Sequence, residues 1–374
     1  MINIYYGPIN KFKKIVNINK IQRVLSLNKI LELMKKDIDE DVLEQYDKLV
    51  IYENEYSLLS ETGQNMILYF LKISFEIYKV KEVYMQNPTK QIISLIENNV
   101  DKELVSIEKH EYKNIDKDIL INLHRNFNKQ ILFQDQVREK IEIVFYHLMK
   151  ERNKGKPVVL MFYGESGIGK TETAKFLGSM LGGSIMRVQM SMFQSNSYLD
   201  YLSGTEHNNK SFSRDLLNRK TNIVLLDEFD KTSYPIISLF YQAFDEGVFS
   251  DLNYDVNLKD VIFICTTNYL SENDIRQSLG DPMFYRFGEL IKFQKIRIEE
   301  IEPLVNQMIE NQMEDLDTEE REVLNNSEFD RVILNLIKAL KDNFDNLTIN
   351  FRVINKIIIK TIENILVKHY LDNI

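Results

Sequence analysis

Apolar positions fall into three regimes along this 374-residue chain. From residue 1 to about 120, short apolar runs (Ile2 to Tyr6, Leu49-Val50-Ile51-Tyr52, Val83-Tyr84-Met85) alternate with amphipathic stretches near 18–36, 60–79 and 88–99. Strand-length runs separated by helical periodicity predict a small α/β domain. Five further apolar runs, at 158–163, 185–190, 223–227, 261–266 and 289–293, are separated by helical patterns. Strands that are apolar throughout, not at every second position, predict a parallel sheet covered on both faces. From Arg297 onward the pattern is almost wholly helical, and Ile354, Ile358, Ile362, Ile365 and Leu366 share one stripe expected to face a core. Ile115 to Lys129 is expected to be a connector, and Lys150 to Pro157 a charged loop.

Candidate chemistry sits at the ends of two of these runs. After Val158 to Tyr163 the chain reads Gly164-Glu165-Ser166-Gly167-Ile168-Gly169-Lys170-Thr171-Glu172 and continues with helical periodicity to Leu181. Strand, glycine-rich turn and helix start in that order form a phosphate-binding loop, because curled backbone N–H groups and the helix dipole converge on one anion. Lys170 would bridge the β- and γ-phosphates of ATP, and the Thr171 hydroxyl would ligate Mg²⁺. The run Ile223 to Leu226 ends in Asp227-Glu228. Asp227 would stand near the metal and Glu228 would polarise the attacking water.

Composition narrows the setting without changing that reading. A hydrophobic fraction of 44% and a charged fraction of 28% are those of a globular chain. The net charge of −9 argues against a broad electrostatic grip on nucleic acid or anionic lipid. The one cysteine, Cys265, ends an apolar run and is expected to be buried and reduced. The five histidines are scattered with no metal-ligand spacing, so the nucleotide's Mg²⁺ is the metal expected. No apolar segment reaches membrane-spanning length, and Met1-Ile2-Asn3-Ile4 lacks a basic leader, so the expected location is cytoplasmic.

The motifs, taken in order, resemble the AAA+ ATPases from about Asn128 to the end of the chain. Within them the likeness is to the Clp-type unfoldase branch, and there to the second ATPase module of the two-ring members. Ile131-Leu132-Phe133-Gln134-Asp135-Gln136-Val137 resembles the segment that wraps adenine. Gly169 to Lys175 resembles that branch's phosphate loop, and Leu225 to Lys231 its acidic strand end. Thr266-Thr267-Asn268 resembles the sensor-1 turn, which implies that Asn268 orients the attacking water. Asp281 to Phe287 resembles the arginine-finger segment, which implies that Arg286 reaches a neighbouring subunit's γ-phosphate. Asn350-Phe351-Arg352 stands where the family has the Gly-Ala-Arg of sensor 2, which implies that Arg352 couples the lid to the nucleotide. The resemblance thus implies a P-loop NTPase fold: a parallel five-stranded sheet (121–295) with a helical lid (296–374), preceded by the small α/β domain (1–120).

The departures bear on function. Between phosphate loop and acidic strand the family carries an aromatic-glycine pore loop, whereas here the interval reads Leu202 to Phe212 with no Gly-Tyr-Val-Gly stretch. Tyr198, Tyr201 and Phe212 are the candidate replacements for that grip. Phe133 replaces a glycine of the adenine segment, and no Ile-Gly-Phe tripeptide for docking a protease chamber is present. The expected activity is ATP hydrolysis in a ring or arc of like subunits that remodels or disassembles a protein partner held by residues 1–120. Alternatives are a nucleotide-dependent switch or scaffold, similar in logic to the torsins, and a nucleic-acid-associated loader or defence-system ATPase, against which the acidic balance counts.

Overall fold

The structure is a computed structural model and describes residues 1–17, 23–35, 45–59, 61–192, 197–204, 210–325, 328–344 and 350–372. The amino-terminal part holds strands β1 (Ile2–Tyr6), β2 (Val24–Leu25), β3 (Lys48–Ile51), β4 (Glu82–Gln86) and β5 (Val105–Lys109). They pair in parallel in the order β2-β3-β4-β1-β5. Helices Leu27–Met34, Ile67–Glu76 and Lys90–Asn99 contribute buried Leu27, Ile30, Ile67, Phe70, Ile92 and Ile96 to one core with Ile4, Leu49 and Met85. Helix Ile9–Val16 places Phe12 and Val16 against Tyr5 and Val50 in a separate cluster. The amphipathic stretches expected near 18–36 and 60–79 fall partly outside the described residues.

The second sheet is built from β6 (Val158–Tyr163), β7 (Met186–Gln189) and β8 (Ile223–Asp227), then, past a short antiparallel hairpin of β9 (Val248–Ser250) and β10 (Asp255–Asn257), from β11 (Ile262–Thr267) and β12 (Glu289–Lys292). Its order is β12-β6-β11-β8-β7, all parallel, as the five apolar runs predict. Both faces are covered, and the side chains alternate between them. Val159, Met161, Val224, Leu226, Phe263 and Cys265 enter one core with helices Tyr234–Glu246 and Glu272–Phe284. Leu160, Phe162, Ile223, Leu225, Ile262 and Ile264 enter the other with helix Lys170–Met180.

One expectation fails here. Ile115 to Lys129 is no connector: Lys117–Gln130 is a helix, capped by Asp116 accepting from the Ile119 N–H at 2.8 Å, with Ile119, Leu123 and Phe127 buried in that second core. Its polar composition hid the apolar stripe, which has one residue per turn. The carboxyl-terminal helices Ile301–Asp315, Thr318–Asn325, Phe329–Asp342 and Phe351–Asp372 enclose their own cluster. Ile354, Ile358, Ile362 and Leu366 are buried in it and Ile365 is half-buried at its edge, so the predicted stripe faces a core.

The candidate grip residues are engaged elsewhere. Phe212 is fully buried, edge-on to Tyr201, Phe240 and Phe249 at centroid distances of 6.2, 5.6 and 4.7 Å. The Tyr201 hydroxyl donates to Asp215 Oδ2 at 2.7 Å. The Tyr198 side chain and residues 205–209 lie outside the described residues. Phe212→Ala should therefore lower unfolding free energy by about 3–5 kcal/mol in urea, the range for emptying a packed aromatic site. A loss below about 1 kcal/mol would mean that Phe212 is not a core residue.

Candidate functional site

A parallel sheet gathers its loops at the carboxyl ends of its strands. Here the ends of β6, β8 and β11 stand in adjacent register: Thr267 is opposite Tyr163, and Cys265 is opposite Leu226. The three segments that follow are the glycine loop, Asp227-Glu228 and Asn268, and they face one cavity of about 560 Å³. That volume lies within the roughly 300–1,000 Å³ of small-molecule sites.

The glycine loop is shaped by its backbone. Gly169, at φ +104°, immediately precedes helix Lys170–Met180, a conformation that costs glycine little and turns the loop amides toward the helix start. Lys170 is buried, and its Nζ donates to the carbonyls of Gly164 and Glu165, both at 2.6 Å, and to Asn268 Oδ1 at 3.1 Å. Burial lowers its ammonium pKa to about 8, against a smaller opposing pull from Asp227, Asp230 and Glu165.

Every acidic group at the strand ends is held by a neighbour. Asp227 Oδ1 accepts from the Thr266 hydroxyl at 2.5 Å, and Oδ2 accepts from Arg187 Nη2 at 2.6 Å and Nε at 3.1 Å. Glu228 stands at φ +56°, a left-handed conformation uncommon outside glycine, asparagine and aspartate, with its N–H donating to Thr266 Oγ1 at 2.9 Å. Its Oε2 accepts from Gln189 Nε2 at 2.7 Å. Sequence reasoning missed Arg187 and Gln189. Their alternate positions on β7 put both on one face, but that β7 lies beside β8, with Gln189 in register with Asp227, is decided only in the structure.

Of the other predicted residues, Ile131, Leu132, Ser166, Gly167, Ile168, Thr171, Glu172 and Arg352 line the same cavity. Gly164 and Glu165 border it through their carbonyl contacts with Lys170, and Glu165 also pairs with Lys295. The departures acquire geometry. Phe133 sits at φ +57°, the left-handed region where glycine costs less, and packs against the carboxyl-terminal helical cluster. Asn350 caps helix Phe351–Asp372 by accepting from the Val353 N–H at 3.0 Å, and the Phe351 N–H donates to the Gly167 carbonyl at 3.1 Å. The helical cluster is thereby hydrogen-bonded to the glycine loop. Arg286 does not line this cavity. It pairs with Asp245 Oδ2 through Nη2 at 2.5 Å and lies 4.5 Å over the Tyr241 ring.

Residues 156–326 match the family model described as AAA domain (Cdc48 subfamily). Over this span the chain is similar to the AAA+ ATPases of the Clp type. It is 29% identical over 286 residues, 69% of its length, to the chaperone protein ClpB of Malacoplasma penetrans. It is 25% identical over 287 residues, 66% of its length, to the ATP-dependent Clp protease ATP-binding subunit ClpL of Staphylococcus aureus. It spans only 39% and 40% of the length of those curated relatives. A solved structure, the closed-state cryoEM reconstruction of Hsp104 with ATPyS and FITC casein, aligns with 100% of this chain and 88% of that one. Its TM-score of 0.58 at 14% identity is a likeness of fold.

The donor set of the module fits the metal that accompanies a nucleotide. Thr171 and Asp227 present hard oxygens to one cavity, and Asp227 already bears a cationic group, Arg187, on one oxygen. The depressed Lys170 pKa makes a signed prediction. Phosphate binds the ammonium form, so ATP affinity should be flat below pH 7 and fall up to about tenfold per unit above pH 8 as the free amine appears. Titration calorimetry in buffers of different ionisation enthalpy should detect proton uptake on binding near pH 9, and none at pH 6.5. Equal uptake at both would show that Lys170 is not the titrating group.

Proposed function

We propose that the chain hydrolyses ATP in an assembly of like subunits and uses the cycle to remodel a protein partner. The observation that carries this reading is the convergence of Lys170, Thr171, Asp227, Glu228, Asn268 and Arg352 on one cavity while Arg286 sits outside it. The loop amides and Lys170 bind and orient the polyphosphate, and Thr171 with Asp227 would hold Mg²⁺, which when bound supplies charge neutralisation. Lys170 exchanges its loop carbonyls for phosphate oxygens, and Asn268, now its acceptor, is left to orient water. Glu228, released from Gln189, accepts the proton of the attacking water as the β–γ bridging bond breaks to give ADP and phosphate. Arg286, released from Asp245, would supply positive charge to the neighbouring subunit's γ-phosphate. Arg352 and the Phe351–Gly167 hydrogen bond would tie the angle of the helical lid (296–374) to the contents of the cavity.

The relatives' names support a protein as the object of the work, with residues 1–120 the part proposed to hold it. Among the described residues no helix is long and apolar enough to cross a membrane, and the cytoplasm is the proposed place of action. A second reading has an observation of its own. Phe212 is fully buried and Tyr201 bonded to Asp215, so neither is available to grip a threaded chain. That favours a switch, in which ATP recruits a partner and hydrolysis releases it, over processive threading.

Lys170→Ala is expected to abolish ATP binding. Glu228→Gln should bind ATP yet turn over about 10²–10⁴-fold more slowly, measured as phosphate release; turnover at the parent rate would remove Glu228 as the base. Arg286→Ala should lose about 10³-fold or more alone. Mixed with equal Glu228→Gln protein it should regain about a quarter of parental activity, because only interfaces pairing an intact Glu228 with an intact Arg286 are competent. No recovery from a mixture that still assembles would exclude action in trans.

A further inference from the structure

A second cavity, of about 770 Å³, lies between the amino-terminal sheet and the ATPase module, away from the nucleotide site. Its upper wall is the carboxyl edge of the amino-terminal sheet: Tyr6 ending β1 and Gly7 after it, Pro88 after β4, and Lys109 ending β5 with His110 after it. Ligands of open parallel sheets bind at that edge, and pockets between domains are preferred sites. The edge is closely built. A methyl group at Gly7 would meet the His110 Cβ at 2.5 Å, so the β1 turn passes directly over the β5 end.

The opposite wall carries a buried cation. Arg219 is 7% exposed, and among the described residues no carboxylate lies within ion-pair distance of it. Its guanidinium lies 4.1 Å over the Tyr112 ring, and it donates from Nε and Nη2 to Asn222 Oδ1 and from Nη1 to the Leu216 carbonyl. Three of its five N–H donors are thus used, leaving one on each terminal nitrogen. A buried guanidinium without a counter-charge is costly unless something anionic completes it. Tyr112 and Asn222 fix the plane of the fork, as bidentate recognition of an oxyanion requires.

The remaining charges refine the ligand. Lys90 is paired with Asp255 at 2.7 Å, and Asp260 accepts from Asn153 at 3.3 Å. Lys109 and Lys259 line the same cavity as Arg219, and so do Glu97 and Glu111, which can act as acceptors. We infer that this cavity binds a small phosphorylated molecule, its phosphate taken by the two remaining Arg219 N–H groups with Lys109, and the hydroxyl or amino groups of its body taken by Glu97 and Glu111. The site would be independent of the ATPase chemistry, though Asn222 directly precedes β8, whose far end carries Asp227. A ligand there would join the two parts of the chain.

Equilibrium dialysis of the full chain tests this with labelled inorganic phosphate and adenosine monophosphate, in a Lys170→Ala background that cripples the nucleotide cavity. One saturable site is expected, with adenosine monophosphate at least tenfold tighter than phosphate. Arg219→Lys, which keeps the charge but loses the fork, should weaken it at least tenfold, while exposed Lys109→Gln should weaken it about threefold with unchanged melting temperature. Tighter binding of free phosphate than of the monophosphate would overturn the part assigned to Glu97 and Glu111. Absence of a saturable site, or unchanged affinity in a folded Arg219→Lys protein, would overturn the inference, and should Arg219→Lys not fold, unchanged affinity in Lys109→Gln would do so.

Discussion

The register of three central parallel strands is the constraint on which the rest of this molecule depends. β6, β11 and β8 lie side by side with Tyr163 opposite Thr267 and Leu226 opposite Cys265. That pairing brings together a glycine loop, a carboxylate pair and an amide that lie up to about a hundred residues apart in sequence. It is pinned by the two cores, because a slip of one residue would send Leu160, Phe162, Leu225 and Ile264 to the face occupied by Val159, Met161, Leu226 and Cys265. Burial on both faces makes that exchange expensive. The site inherits its precision from the packing beneath it, not from the loops that form it.

The groups that would act on a nucleotide are each satisfied by a neighbour of the same chain. Lys170 rests on two loop carbonyls and Asn268, Asp227 on Thr266 and Arg187, Glu228 on Gln189, and Arg286 on Asp245. Buried ionisable groups require such partners, since desolvation without them costs several kcal/mol. The partners also set what ligand binding must displace. Among the described residues the carboxyl-terminal helices meet the glycine loop through the backbone hydrogen bond from Phe351 to Gly167, so their seat is the loop that phosphate would occupy.

The amino-terminal sheet is docked on the part that carries the nucleotide-site sheet through polar chemistry. Glu53, 6% exposed, accepts from Asn87 of its own sheet and from Arg214 and Asn218 of the module. Lys90 donates to the carbonyls of Asp251 and Asn253 in the hairpin turn. These contacts fall on helix Phe212–Leu217 with its cap residue Asn218, and on the β9–β10 hairpin, whose Leu252 N–H donates to the Ser203 carbonyl in the interval that replaces the pore loop. The amino-terminal part is therefore anchored next to that interval, beside the cavity that Arg219 lines.

Local chemistry was legible in the residues alone. Apolar runs without alternation announced strands buried on both faces, and the phosphate-loop spacing announced a turn that only glycines and a helix start can make. The helix at Lys117–Gln130 was hidden because its three buried residues are diluted by polar ones. Arg187, Gln189 and Thr266 reach the carboxylates only because β7 and β11 flank β8, and no spacing along the chain encodes which strands will be neighbours. Phe212 and Tyr201 illustrate the same limit in reverse. By type and position they were candidates to grip a client, but Phe212 is packed among Tyr201, Phe240 and Phe249, and Tyr201 is bonded to Asp215. Sequence by itself determined most of the elements that form and the glycine turn between β6 and the helix that follows, since both follow from short-range periodicity and backbone stereochemistry. Strand order, the partner of each carboxylate and the joining of the two sheets were decided only in the tertiary structure, because they depend on which distant apolar faces bury one another.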